Sequence, residues 1–227
     1  MRRALIMAAI LVVLAILALR ADREQLRRLY RSVPRPLPNP DLVLDGVAWR
    51  QAVAWDVGDG PFPGAWSWGD WRVVDGVLEG RDDDGDFAVY VLPFEHSGDF
   101  LIEARVRILA DSSGRVAEAH LLTRDGRELR HESGAVLFGG QNRVSARHMV
   151  DRVDYVLRVI KPSRPVSEGV WHLLRFAVHD SRVQVWLDGV RIFRSEKRYP
   201  TGVYREPHFA VRNGVVQFGG FRILVAS

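Results

Sequence analysis

The sequence predicts a mostly β protein, a two-sheet jelly-roll sandwich preceded by one N-terminal transmembrane helix. Three observations predict it. Residues Ala4 to Leu19 are sixteen consecutive apolar residues. From Asp41 onward, strand-length apolar or alternating runs recur between Gly, Asp and Asn turns. After residue 41 no stretch carries a convincing helical period.

The apolar run includes Ala4, Leu5, Ile6, Leu11, Leu14 and Leu19, and is flanked by Arg2, Arg3 and Arg20. As a helix it covers about 24 Å, short of a hydrocarbon core of about 30 Å. Snorkelling arginines make up the difference. The competing reading is a cleaved signal peptide. Its charged start and apolar centre are present, but Ala18-Leu19-Arg20-Ala21 offers no small-x-small cleavage site. We therefore expect an uncleaved anchor.

Ala21 to Ser32 contains no breaker, so the helix is expected to continue, with Leu26, Leu29 and Tyr30 on one face as interface candidates. Pro34 ends it by restricting Val33. Pro34, Pro36, Pro38 and Pro40 then alternate. Such a segment is a stiff extended spacer of about 25 Å. The expected organisation is an anchor over residues 1–32, a linker over 33–41 and a jelly roll over 42–227.

Within the jelly roll, Trp71 to Leu78 is broken by Asp75-Gly76, a hairpin signal. Phe87–Leu92, Phe100–Leu109, Val116–Thr123, Ala135–Phe138 and Tyr155–Ile160 read as strands. Trp171–Val178 and Val183–Leu187 form the clearest pair, and Asp188-Gly189 turns into Val190–Phe193. His208–Val211 and Phe218–Val225 close the chain. This gives about ten to twelve strands, which suits a sandwich of this length.

Charge and composition exclude several classes. There is no cysteine, so neither a disulfide framework nor a thiolate metal site is available. The net charge is +4 and the isoelectric point about 9.8. Arg20, Arg23, Arg27, Arg28, Arg31 and Arg35 crowd the juxtamembrane segment. That clustering favours anionic headgroups over nucleic acid, and no nucleic-acid partner is expected. Orientation is argued both ways: Arg2 and Arg3 favour an inside N-terminus, and the larger cluster after Arg20 opposes it. The expected site is a bacterial inner membrane, crossed once, with a periplasmic jelly roll.

Four stretches carry a family likeness: Trp71–Leu78, Gly98–Arg107, Glu168–Val190 and Phe218–Ile223. Together they resemble the concanavalin A-like jelly rolls, which include laminin-G-like domains and 3-keto-disaccharide hydrolase-like domains. The likeness spans residues 45 to 225. Its motifs are hairpin turns and core aromatics, so they specify fold better than activity.

Candidate chemistry is sparse. Asp82, Asp83, Asp84 and Asp86 form the densest acidic cluster, with Gly85 inside it. Asp82, Asp84 and Asp86 are candidate calcium ligands by their oxygen donors, although the spacing is not that of an EF-hand; no other cofactor is expected. Glu103 and the Glu118/His120 pair offer acid–base groups. The paired same-strand carboxylates of retaining jelly-roll glycosidases are missing, and Glu103 reads as part of a charged outer face with Arg105 and Arg107. No two of the seven histidines have zinc spacing. Gly139-Gly140 and Gly219-Gly220 read as bulges or close strand approaches. The aromatic loop residues Phe62, Trp66 and Trp68 are candidates for a protein interface, a glycan or a core lid.

These features favour a non-enzymatic accessory subunit that stabilises a larger membrane complex through its helix and exterior domain. That reading extends to a bacterial photosynthetic reaction-centre and light-harvesting complex, a step no residue motif carries. The missing catalytic pair weighs against an enzyme without closing the question. The alternative is a tethered glycan-binding module or 3-keto-glycoside hydrolase. An envelope scaffold touching peptidoglycan or lipid is a third reading.

Overall fold

The computed structural model describes residues 42–56, 66–92, 94, 98–109, 114–124, 131–150, 153–163, 165–196 and 206–227, all within the unit Pro34–Ser227. The anchor residues Ala4 to Leu19, the interface candidates Leu26, Leu29 and Tyr30, the linker and Phe62 lie outside the described residues. Among the described residues there is no helix, and so none long and apolar enough to cross a membrane.

The described residues form two sheets. The first has nine strands: β1 (Leu42–Leu44), β2 (Val47–Asp56), β4 (Asp70–Val74), β5 (Val77–Asp82), β7 (Phe100–Ile108), β12 (His172–His179), β13 (Arg182–Leu187), β14 (Val190–Arg194) and β16 (Gly214–Ala226). Its main path runs β1-β2-β16-β7-β12-β13-β14, and the β4–β5 hairpin joins through β5 to β16. The second has seven: β3 (Trp66–Trp68), β6 (Ala88–Val91), β8 (Glu118–Arg124), β9 (His131–Phe138), β10 (Arg143–Val150), β11 (Val153–Ile160) and β15 (Glu206–Arg212). Its order is β11-β10-β9-β8-β15-β6-β3.

The predicted hairpins form where Asp-Gly pairs supply two left-handed residues, the requirement of a type I′ turn. Asp75 and Gly76 have φ of 51° and 79°, and Asp188 and Gly189 have 51° and 84°. Gly219-Gly220 marks a register shift of β16 against β7, as expected of a bulge. Gly139-Gly140 lies in the turn between β9 and β10, where Gly139 closely approaches Ile108.

Alternation sets the core. On β7, Phe100, Ile102, Ala104, Val106 and Ile108 face inward, and on β12 Leu174, Phe176 and Val178 do. Ala119 and Leu121 of β8, Ala135 and Leu137 of β9, and Phe209 and Val211 of β15 meet them from the other sheet. Phe209 of β15 stacks on Phe218 of β16 at 4.2 Å with 11° between planes, joining the sheets face to face. Because β15 and β16 are separated only by Asn213, the chain changes sheets there in one step.

Two differences from the sequence expectation, in the strands and at Glu103, follow from pairing. There are sixteen strands among the described residues; β10, with Arg, Ser, Arg and His between its apolar residues, has no strand signature of its own and exists because both its neighbours pair with it. Glu103 is not on a solvated face: it is fully buried, accepting from Arg175 Nε and from Arg222 Nε at 2.8 Å. Trp55 belongs to the core at 4% exposure. Trp71 is half-buried, its ring laid over Gly80 and against Tyr90 and Phe218. Trp186 is buried, whereas Trp171 is half-buried with Arg107 over its ring.

Candidate functional site

The loop between β5 and β6 is acidic because its carboxylates hold its own turns. Asp82 Oδ1 accepts from Gly85 N at 3.2 Å, and its Oδ2 accepts from Asn213 N at 2.6 Å. That second bond ties the loop to the crossover between β15 and β16. Asp84 Oδ1 accepts from Asp86 N at 3.0 Å, and this bond, with help from Asp82, holds the Asp84 carboxyl below its ordinary range. Asp83 pairs with Arg81 Nε at 2.9 Å. Among the described residues no three carboxylates or imidazoles group in a way that holds a metal ion. The candidate calcium residues Asp82, Asp84 and Asp86 are therefore placed together, but two of them as acceptors of backbone N–H groups.

What the loop does form is a wall. A pocket of about 300 Å³ is lined by Asp70, Arg81, Asp82, Asp83, Asp84 and Asp86 together with Trp68, Gly69, Phe87 and Ala88. Trp68 is 58% exposed, an unusual position for so large an apolar surface. It stands there because, among the described residues, β3 is the last strand of its sheet and pairs only with β6, Trp68 opposite Val89. Trp71 Nε1 donates to the Trp68 carbonyl at 3.0 Å and fixes the turn beneath it. Trp66 lies two residues earlier on the same strand, opposite Val91. Tertiary structure thus brings Trp68 and the acidic cluster together.

Phe87 joins this pocket to the outer face of the seven-stranded sheet. Its φ is 65°, a left-handed conformation that a bulky side chain adopts at a cost of about 1–2 kcal/mol. The ring meets His120 edge-on at 5.2 Å, and the Arg212 guanidinium lies over it at 5.0 Å. The pocket wall is therefore also the support of a charged group on β8 and β15.

On that face His120 donates through Nε2 to Glu118 Oε2 at 3.0 Å. Burial lowers the His120 pKa, outweighing the pull of Glu118, so the ring is neutral at neutral pH. Burial raises the Glu118 carboxyl, but its bond to His120 and the nearby charges of Arg212 and Arg147 prevail and leave it lowered. A second pair lies farther along: His208 Nδ1 donates to the Glu206 carbonyl at 3.1 Å, and its Nε2 faces Glu132 at 3.6 Å. Arg124 holds Glu206 at 2.7 Å. Sequence reasoning had Glu118 and His120 as a pair; Glu132, His208, Arg212 and Phe87 carry no local signal, because they converge only through register.

No protein-family model matches the sequence, and no curated protein matches it. Solved structures do match in fold. The endo-β-1,3-glucanase from Pyrococcus furiosus aligns with a TM-score of 0.61 and 10% identity over 83% of this chain and 99% of that one. The carbohydrate-binding module CBM66 from Bacillus subtilis aligns at 0.58 and 17%, over 69% and 92%. The carbohydrate recognition domain of Emp47p aligns at 0.59 and 12%, over 82% and 100%. At such identities the likeness is one of fold. The fold is the concanavalin-like jelly roll.

Proposed function

We propose that the jelly roll is a glycan-binding module whose sugar-contacting surface is the pocket beside Trp68. One observation carries the reading: the exposed Trp68 lines a pocket together with Asp70, Arg81, Asp83, Asp84 and Asp86. A pyranose presents an apolar C–H face, which an indole covers, and a rim of hydroxyls, which carboxylates accept from and Arg81 donates to. The fold neighbours, a carbohydrate-binding module, a carbohydrate recognition domain and a glucanase, support the same chemistry. The apolar run Ala4–Leu19 would tether this module to a membrane.

The test is binding of the full-length chain to an immobilised glycan array, followed by titration calorimetry on the best ligand. The reading expects a saturable glycan response in the wild type that Trp68→Ala abolishes while the chain remains folded. A wild type without any glycan response would sink it.

A hydrolase is the second reading, and the hydrogen-bonded Glu118–His120 pair favours it. Glycosidases of the two-carboxylate type place their carboxyl groups about 5–10 Å apart. Here Glu118 pairs with Phe138 and Glu132 with Arg124, six register steps away. That offset is about 20 Å along the strands. On this reading hydrolysis runs through the Glu118–His120 pair. The accessory-subunit reading, including a photosynthetic partner, draws no support from the fold neighbours, and the helix residues that motivated it lie outside the described residues.

A further inference from the structure

Adjacent strands of the seven-stranded sheet put Arg212, Glu118, Phe138 and Arg143 in one row. Register places Arg212 of β15 opposite Glu118 of β8, Glu118 opposite Phe138 of β9, and Phe138 opposite Arg143 of β10. The row crosses three strand spacings, about 14 Å. Both arginines are laid over aromatic rings: Arg143 over Phe138 at 3.7 Å and Arg212 over Phe87 at 5.0 Å. A guanidinium stacked by its face keeps its N–H edge for an oxyanion in the ring plane.

The carboxylates of this face are already engaged. Arg124 holds Glu206, His120 holds Glu118, and His208 faces Glu132. Among the described residues, the buried side-chain polar atoms with no hydrogen-bond partner include Arg143 Nε, Arg212 Nε and Ser145 Oγ of this face. Ser145, 2% exposed, follows Arg143 by two residues and so shares its face, opposite Val136. An orphaned buried polar group costs about 1–3 kcal/mol, and three on one sheet face call for a common explanation.

We propose that this face holds an anion subsite, built from Arg143, Ser145 and Arg212, that takes the carboxylate or sulfate substituent of a saccharide chain. The inference rests on the glycan reading above and names its substrate class: an acidic oligosaccharide lying across the strands, with its neutral face at Trp68. The arginine edges supply charge-assisted bonds and the Ser145 hydroxyl a further donor.

The experiment compares binding of full-length protein to polygalacturonate, a sulfated glycan and a neutral β-1,3-glucan at fixed ionic strength. The variants are R143Q/R212Q, S145A, and R50Q/R194Q as a control that removes two exposed charges from the other sheet. The expected result is preference for one or both acidic glycans, weakened about tenfold or more in R143Q/R212Q and several-fold in S145A, with the control near wild type. The responding arm identifies carboxylate or sulfate. Equal loss in the control, or acidic binding unchanged in R143Q/R212Q with its thermal melt intact, overturns the subsite. Binding of the neutral glucan without acidic preference overturns it and leaves the glycan reading standing. No binding of any glycan overturns both.

Discussion

The ring of Phe87 stands edge-on to the imidazole of His120, 5.2 Å between centroids and 81° between planes, while its own backbone is held at a φ of 65°. Strain at one residue thus supports two things at once: the inner wall of the Trp68 pocket and the buried side of the Glu118–His120 pair.

The left-handed backbone makes an unusual ranking testable. At most positions Ala is better tolerated than Gly by about 0.5–1 kcal/mol. At Phe87 the Ala variant keeps the strained φ and loses the ring, whereas the Gly variant loses the ring and releases the strain. Phe87→Ala is expected to be less stable than Phe87→Gly by about 1 kcal/mol in urea denaturation. The opposite order would show that the backbone is not strained there.

His120 gives the protein a pH dependence with a defined sign. Its folded-state pKa lies below the ordinary 6.5, so the unfolded chain binds the proton more readily. This contribution is fully present above about pH 6.5 and is lost as pH falls through that value toward the folded pKa. The lowered carboxyls of Glu118 and Glu132, ordinarily at 4.5, add a second loss below that range. Denaturant midpoints measured from pH 7.5 to pH 5 should fall in the wild type and fall less in His120→Gln. Parallel curves would count against a neutral buried His120.

Gly80 sits under the Trp71 ring, where an added Cβ would lie 2.5 Å from ring carbon Cζ3. Gly80→Ala is expected to cost about 1–3 kcal/mol and to shift tryptophan fluorescence as Trp71 is displaced from Tyr90 and Phe218. An unchanged melt and spectrum would mean the ring has room to move.

Glu103 bridges Arg175 and Arg222, and the carboxylate and the Arg222 side chain are both fully buried. Glu103→Gln removes the anion between two cations and is expected to cost about 3–5 kcal/mol, measured by chemical denaturation. A loss below 1 kcal/mol would show that solvent or another group compensates the arginines.

The sequence by itself determined the two-sheet β architecture and most strand positions of the described residues. Asp75-Gly76 and Asp188-Gly189 define their turns through two-residue backbone preference, and the alternation over Phe100 to Ile108 defines which side chains are inside. These signals are local, so they can be read without neighbours. What the tertiary structure alone decided was the placement of polar residues. Glu103 became buried because β12 and β16 bring Arg175 and Arg222 to either side of it, and β10 became a strand because β9 and β11 pair with it. The candidate site was decided in the same way. Trp68 meets the Asp82–Asp86 loop, and Phe87 meets His120 and Arg212, through strand order and register between segments far apart in the chain. No local preference encodes such contacts, because each one is set by the residue opposite.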